Sequence, residues 1–224
     1  MSSRKALRFV SGIADWTKKN QREFPWRHTT DPYRVLIAEY LVQRTRAEQV
    51  KPVYVEFIHK WPTIQSLSAA SLSEIARVIR PLGLEYRAAR IKSISEILVQ
   101  DFDGCIPNSL AGLEGLYGTG LGEYMAHAIL CFAFGQDVPV IDQNVVRILR
   151  RVFSVEARKD AHRDPRLWKF AKKLVPRGEA RKYNWGLLDF GALVCTPSKP
   201  HCASCPILEI CDYGNRAVSC DHVC

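Results

Sequence analysis

Four cysteines, Cys195, Cys202, Cys205 and Cys211, follow one another as C-x6-C-x2-C-x5-C near the end of a 224-residue chain. Four thiolates this close in sequence can close around one metal centre. Tetrahedral zinc and a [4Fe-4S] cluster both accept four cysteines, so spacing leaves the two open. The other cysteines, Cys105, Cys131, Cys220 and Cys224, are scattered. With no secretory signal in view, the close set reads as a metal site and not as a disulfide framework. Two carboxylates stand in apolar surroundings. Glu39 interrupts Val35-Leu36-Ile37-Ala38-Glu39-Tyr40-Leu41-Val42, apolar on almost every helical face. Burying an ionised carboxylate there is costly, so Glu39 must face a cleft, find a partner or be protonated. That points to catalysis, with a glutamate bonded to a backbone amide or an arginine as the structural alternative. Asp142 separates the apolar Val138-Pro139-Val140-Ile141 from a helix opening at Gln143-Asn144-Val145. It is placed to cap that helix, and a carboxylate near apolar surroundings also suits a positive charge developing on a sugar. Asp189, in Trp185-Gly186-Leu187-Leu188-Asp189-Phe190-Gly191, has no second carboxylate or turn motif nearby and is read as structural.

A glycine turn, Gly118-Thr119-Gly120-Leu121-Gly122-Glu123-Tyr124, precedes an apolar helix expected over Met125 to Phe134 and stopped by Gly135. The backbone amides of such a turn can approach a phosphate at a helix N-terminus, although an ordinary turn between packed helices explains the glycines as well. Lys199 and His201, on the loop between Cys195 and Cys202, are also placed to meet phosphate.

The elements that must carry these residues are helical. Ala6, Phe9, Val10, Ile13 and Trp16 recur at three- and four-residue steps, which predicts an amphipathic N-terminal helix. Ser71 and Glu74 form a capping box for a helix over Ser71 to Val78, and Arg87 to Val99 reads as another. Asp31-Pro32, Trp61-Pro62, Pro81-Leu82-Gly83, Ile106-Pro107-Asn108 and Gly135-Gln136 cut the first 136 residues into short helices. Strand-like alternation is nearly absent, so an all-α protein is expected, without internal repeat or long linker.

With 47% hydrophobic and 25% charged residues, the chain can bury a core, which excludes disorder. Its apolar runs are too short for a bilayer, and Met1-Ser2-Ser3-Arg4-Lys5 leads into no signal-peptide apolar region, so no membrane and an intracellular location are expected. Thirty-two Lys and Arg against 23 Asp and Glu give a net charge of +9, spread along the chain, which favours a polyanionic partner such as nucleic acid.

From about Phe24 to Cys211 these pieces, in this order, resemble the helix-hairpin-helix DNA glycosylases related to endonuclease III. The matching segments are Phe24-Pro25-Trp26-Arg27, Glu39 to Thr45, the glycine hairpin, Val140-Ile141-Asp142-Gln143-Asn144, Leu187-Leu188-Asp189-Phe190 and the cysteine spacing. The resemblance implies a two-lobed all-α fold: a six-helix lobe carrying the hairpin, residues 29–136, and a discontinuous iron-sulfur lobe, residues 1–28 and 137–224. It implies a [4Fe-4S] cluster on the four cysteines and, as partner, double-stranded DNA containing a mismatched or damaged base, bound by a monomer. Glu39 and Asp142 would act on a base flipped out of the duplex, with Tyr124 and Asn144 shaping the pocket. Gly120, Leu121 and Gly122 would hold a phosphate, Lys199 would meet the backbone, and Gln43 or Arg44 would fill the gap left by the base.

Members that also cut the strand carry a Schiff-base lysine where this chain has Tyr124, so the resemblance implies a monofunctional glycosylase. Tyr124 is similar to the thymine mismatch enzymes, and Pro81-Leu82-Gly83-Leu84-Glu85-Tyr86 replaces the glycine-rich aromatic turn of the adenine enzymes. Thymine or uracil opposite guanine is the expected substrate, with adenine opposite guanine or 8-oxoguanine as the alternative and a non-catalytic iron-sulfur DNA-binding module as a rival of another class. Thr119 stands where many relatives have proline, and Glu123 where a basic or polar residue is common.

Overall fold

The computed structural model describes residues 3–155 and 164–220. Twelve α-helices lie among them: α1 (Ser3–Asn20), α2 (Pro32–Val42), α3 (Ala47–Lys60), α4 (Ile64–Ser68), α5 (Leu72–Ile79), α6 (Tyr86–Asp101), α7 (Leu110–Glu114), α8 (Glu123–Phe132), α9 (Gln143–Phe153), α10 (Pro165–Lys172), α11 (Ala180–Leu193) and α12 (Asp212–Cys220). The only β pairing among the described residues is an isolated bridge between Tyr117 and Leu121 in the hairpin, so the all-α expectation holds. No helix of the described residues is long and apolar enough to cross a membrane.

Side-chain caps set six of the twelve helix starts. Asp31 accepts from the Tyr33 amide with Pro32 in the first turn, Ser71 and Glu74 form the expected capping box, and Asp142 accepts from the Val145 amide. Each satisfies an amide that the first helical turn leaves without an intrahelical partner.

The chain divides into two compact units. Residues Glu23–Phe134 form one. There α2 is buried at Tyr33 and from Val35 to Leu41, with only Arg34 between them exposed, and packs on α3, α6 and α8. The apolar α8 is buried from Met125 to Phe132, which is why both helices lack a polar face. The other unit joins Met1–Arg22 to Gly135–Cys224. Its core gathers Phe9 and Ile13 of α1, Val145 and Leu149 of α9, and Leu187 and Phe190 of α11. Close crossings are cut at glycines: a β-carbon on Gly186 would lie 2.1 Å from Thr17 Oγ1, and one on Gly191 would lie 2.5 Å from Asn144 Cβ.

Candidate functional site

In the unit of residues 23–134, Glu39 sits on the buried face of α2 at 6% exposure. Helix α2 ends at Val42, and the chain turns at Gln43 and at Arg44, which has a left-handed φ of 55° and is exposed. A non-glycine residue in that region carries local strain, of the kind that gathers at binding loops. The structure brings this turn to the hairpin: Gln43 Nε2 donates to Met125 Sδ at 2.8 Å and more weakly to the Gly120 carbonyl at 3.5 Å.

In the hairpin, Gly118 and Gly120 have φ of 104° and 95°, backbone that only glycine adopts readily. Gly122 differs. Its φ is −131°, an ordinary extended value, and nothing lies within 4 Å of where its β-carbon would sit, so neither strain nor packing among the described residues requires glycine there. Thr119 is buried and turned inward. Its hydroxyl donates to the Leu116 carbonyl at 2.8 Å and lies 3.2 Å from the Tyr40 hydroxyl. Burial pushes the Tyr40 hydroxyl up to about 12, so it stays protonated as an interior hydrogen-bonding group. Leu121 is also buried, while Tyr124 lies half-buried in the first turn of α8.

In the other unit, Asp142 caps α9 as expected. Oδ1 accepts from Val145 N at 2.8 Å and Oδ2 from Asn144 Nδ2 at 2.7 Å. Burial raises the carboxyl above its ordinary value, and the hydrogen bonds from Val145 and Asn144 and the Arg147 charge offset this only in part. Asn144 in turn accepts from Arg147 Nη2 at 2.7 Å, and Arg147 also donates to the carbonyls of Gly191 and Cys195, both at 2.7 Å. A continuous chain of hydrogen bonds therefore runs from the Asp142 carboxylate to the backbone of the first cysteine of the C-x6-C-x2-C-x5-C set. Arg147 is the residue that sequence reasoning passed over; its spacing, one helical turn after Asn144, was the available signal. Asp189 has no exposure and binds Arg22 twice, through the backbone amide at 3.0 Å and Nε at 2.7 Å. That fixes the end of the N-terminal segment and gives Asp189 the structural part read for it.

The four cysteines line one pocket with about 340 Å³ of empty space, part of it open solvent, together with Arg151, Val152, Phe190 and Tyr213. All four are free thiols. Burial pushes Cys202, Cys205 and Cys211 up, Cys205 to about 11, and each is raised further by charge on neighbouring thiols. Burial thus favours the neutral thiols, and holding all four as thiolates would take a cationic centre beside them. Arg151 fixes the loop, donating to the carbonyls of Thr196 and Pro197 at 2.7 Å each and standing 3.4 Å from Cys195 Sγ. Among the described residues no three Cys, His, Asp or Glu side chains converge to hold a single metal ion. Lys199 is exposed on this loop, its carbonyl accepting from Thr196 Oγ1, and His201 is exposed beside it. Cys105 is exposed and Cys131 buried, while Cys224 and the side chain of Cys220 lie outside the described residues.

Residues 37–173 match the family described as HhH-GPD superfamily base excision DNA repair protein. The chain is 36% identical over 216 residues to a Thymine/uracil-DNA glycosylase of Methanothermobacter thermautotrophicus, covering 96% of this chain and 97% of the relative. It is 39% identical over 215 residues to the Thymine/uracil-DNA glycosylase of Pyrobaculum aerophilum, covering 93% of each. Among solved structures, a thermostable thymine-DNA glycosylase superposes with a TM-score of 0.90 at 36% identity, covering 95% of this chain and 98% of the other.

Proposed function

This chain belongs to the HhH-GPD superfamily of base excision DNA repair proteins and is a DNA glycosylase, and we propose that it hydrolyses the N-glycosidic bond of thymine or uracil opposite guanine without cutting the strand. The likeness to thymine/uracil-DNA glycosylases over nearly the whole of both chains carries the choice of base. Tyr124, where strand-cutting relatives hold a lysine, supports hydrolysis over Schiff-base chemistry, because a phenol supplies no amine to attack the sugar.

In this reading Asp142 stabilises the positive charge that develops on the sugar as the base departs. The Val145 amide and the Asn144 side chain aim its two oxygens before the reaction begins, so little reorganisation is left for the transition state. Glu39 activates water or assists the departing base, and the aliphatic surface around it excludes competing solvent. Gly122 leaves open the space a phosphate needs to approach the hairpin, and the exposed Arg44 and Lys199 meet the DNA. Gln43, half-buried and tied to the hairpin, occupies the gap left by the base together with Arg44.

Cys195, Cys202, Cys205 and Cys211 would hold a [4Fe-4S] cluster. The free thiols and shared pocket fit it, and a cluster that takes one thiolate per iron suits side chains that do not converge on a single-ion position. There it would contribute structurally, fixing the loop to which Arg147 and Arg151 bind.

The test is incubation of the purified chain with end-labelled duplexes carrying T, U, A or hypoxanthine opposite each partner, with and without alkali. Breakage of the T·G and U·G duplexes only after alkali is expected. Preference for adenine would overturn the assignment of the base, and breakage without alkali the assignment of Tyr124.

A further inference from the structure

Arg90, on the exposed side of α6, lies against the hairpin. A β-carbon on Gly120 would sit 2.4 Å from Arg90 Cδ and 3.0 Å from its Nε, so the absence of a side chain at Gly120 is what lets the arginine stem cross the hairpin backbone. The guanidinium lies over the Tyr86 ring, 4.6 Å from its centroid, and Tyr86 is itself 41% exposed. Among the described residues Arg90 forms no hydrogen bond or ion pair, so its five donors are unspent while the aromatic ring and the glycine hold its orientation. Its charge is felt at the Tyr40 hydroxyl, which also binds Thr119 of the hairpin, and this places the cation beside the turn.

We infer that Arg90 is a phosphate-binding residue, the cation of the hairpin, which grips a DNA phosphate beside Gly120 and offsets the acidic Glu123 in the first turn of α8. A hairpin that works through backbone amides alone offers partial charges, and an acidic residue at the following position weakens them. A stacked guanidinium restores the balance with a full charge in a fork that matches phosphate geometry. Arg90 is thus a binding residue, with no part in the chemistry at the sugar. This inference rests on the reading of the chain as a DNA-binding glycosylase.

The experiment measures equilibrium binding of wild-type, R90M, R90Q and R90K chains to a duplex with a tetrahydrofuran abasic-site analogue, by fluorescence anisotropy across a salt series. One phosphate contact contributes about 0.9 to the slope of log affinity against log salt. R90M and R90Q are expected to lose about that much, so their deficit shrinks by about 3-fold between about 50 and 200 mM salt. R90K is expected to keep the wild-type slope. Since phosphate contacts carry no base information, the deficit should be the same on a fully paired duplex. A wild-type slope in both R90M and R90Q reduces Arg90 to a cover for Gly120 and overturns the inference alone. A wild-type chain that binds neither duplex overturns the glycosylase reading with it.

Discussion

Both oxygens of the Asp142 carboxylate are engaged, by the Val145 amide and by Asn144 Nδ2, yet burial still moves its proton affinity upward. In D142N the cap oxygen is kept, but an amide nitrogen then faces the Asn144 amide and one hydrogen bond is lost. The desolvated charge is lost as well, so the two effects oppose one another and stability should stay within about 1 kcal/mol of wild type. Single-turnover excision should fall about 100-fold or more, since the charge aimed at the sugar is gone; full activity in a folded D142N chain would remove Asp142 from the mechanism. In the proposed mechanism the ionised form is the active one, so activity should be lost as pH falls through a pKa above the ordinary aspartate value of about 3.9. The bond from Asn144 lowers that pKa, so N144A should move the acid limb of the pH-rate profile to higher pH. An unmoved or lowered limb would refute the role given to Asn144. The cap was legible in the sequence because its geometry spans three residues. Arg147 was not, because two of its acceptors come from residues 44 and 48 positions later, which nothing local encodes.

Between residues and fold, the informative elements are the turns that end α2 and open α6 and α8. Arg87 has no exposure and donates to the carbonyls of Leu41, Leu82 and Gly83 and to Thr45 Oγ1. It thereby pins the end of the Glu39 helix and the turn after it to the Leu82-Gly83 turn. R87M would leave the buried Leu41 carbonyl without its donor and release the part-buried turn acceptors, and chemical denaturation should show a loss of about 2–4 kcal/mol. R87K should not restore it, because an ammonium cannot span the same fork. A loss below about 0.5 kcal/mol would show that water replaces the clamp. At Gly122 the expectation reverses. With ordinary φ and open space, G122A should change stability by no more than about 1 kcal/mol, while affinity for duplex DNA falls about tenfold as a methyl group enters the space proposed for a phosphate. Unchanged affinity would return the hairpin to the status of a packing turn. Helix starts at Asp31, Ser71 and Asp142 were readable from capping chemistry, whereas α3 runs through Pro52, a residue that argues for a break. Buried Val50, Val53, Tyr54 and Phe57 on either side hold that helix, and such tertiary packing is invisible to local propensity.

At the scale of the whole chain, the segment from Cys195 to Cys211 has little regular structure of its own, a single 3-10 turn at Leu208–Ile210. It is nevertheless tied, with the start of α12, to two helices of the same unit, α9 and α1. Arg147 and Arg151 of α9 hold its carbonyls, Lys5 of α1 pairs with Asp212 at 2.6 Å and Arg8 with Glu209, and Gly12 of α1 leaves room for Ile207, whose Cγ2 would lie 2.5 Å from a β-carbon there. Loss of the proposed cluster should therefore loosen α1 as well as the loop, although the two are about 200 positions apart in sequence. Iron chelation under reducing conditions should bleach the visible absorption of the protein and lower its thermal midpoint together. A structural contribution of about 3 kcal/mol corresponds to a fall of roughly 6–12 °C for a chain of this size. Hydrogen exchange should rise in α1 and around Cys195–Cys211, while the buried helices α2 and α8 keep their protection, because they belong to the other compact unit. If the protein is colourless and chelation changes neither its melting nor its exchange, the four thiols do not hold a cluster. If colour and stability are lost but α1 keeps its protection, the surface ion pairs of Lys5 and Arg8 do not couple the two ends of the chain, as their exposure would then explain.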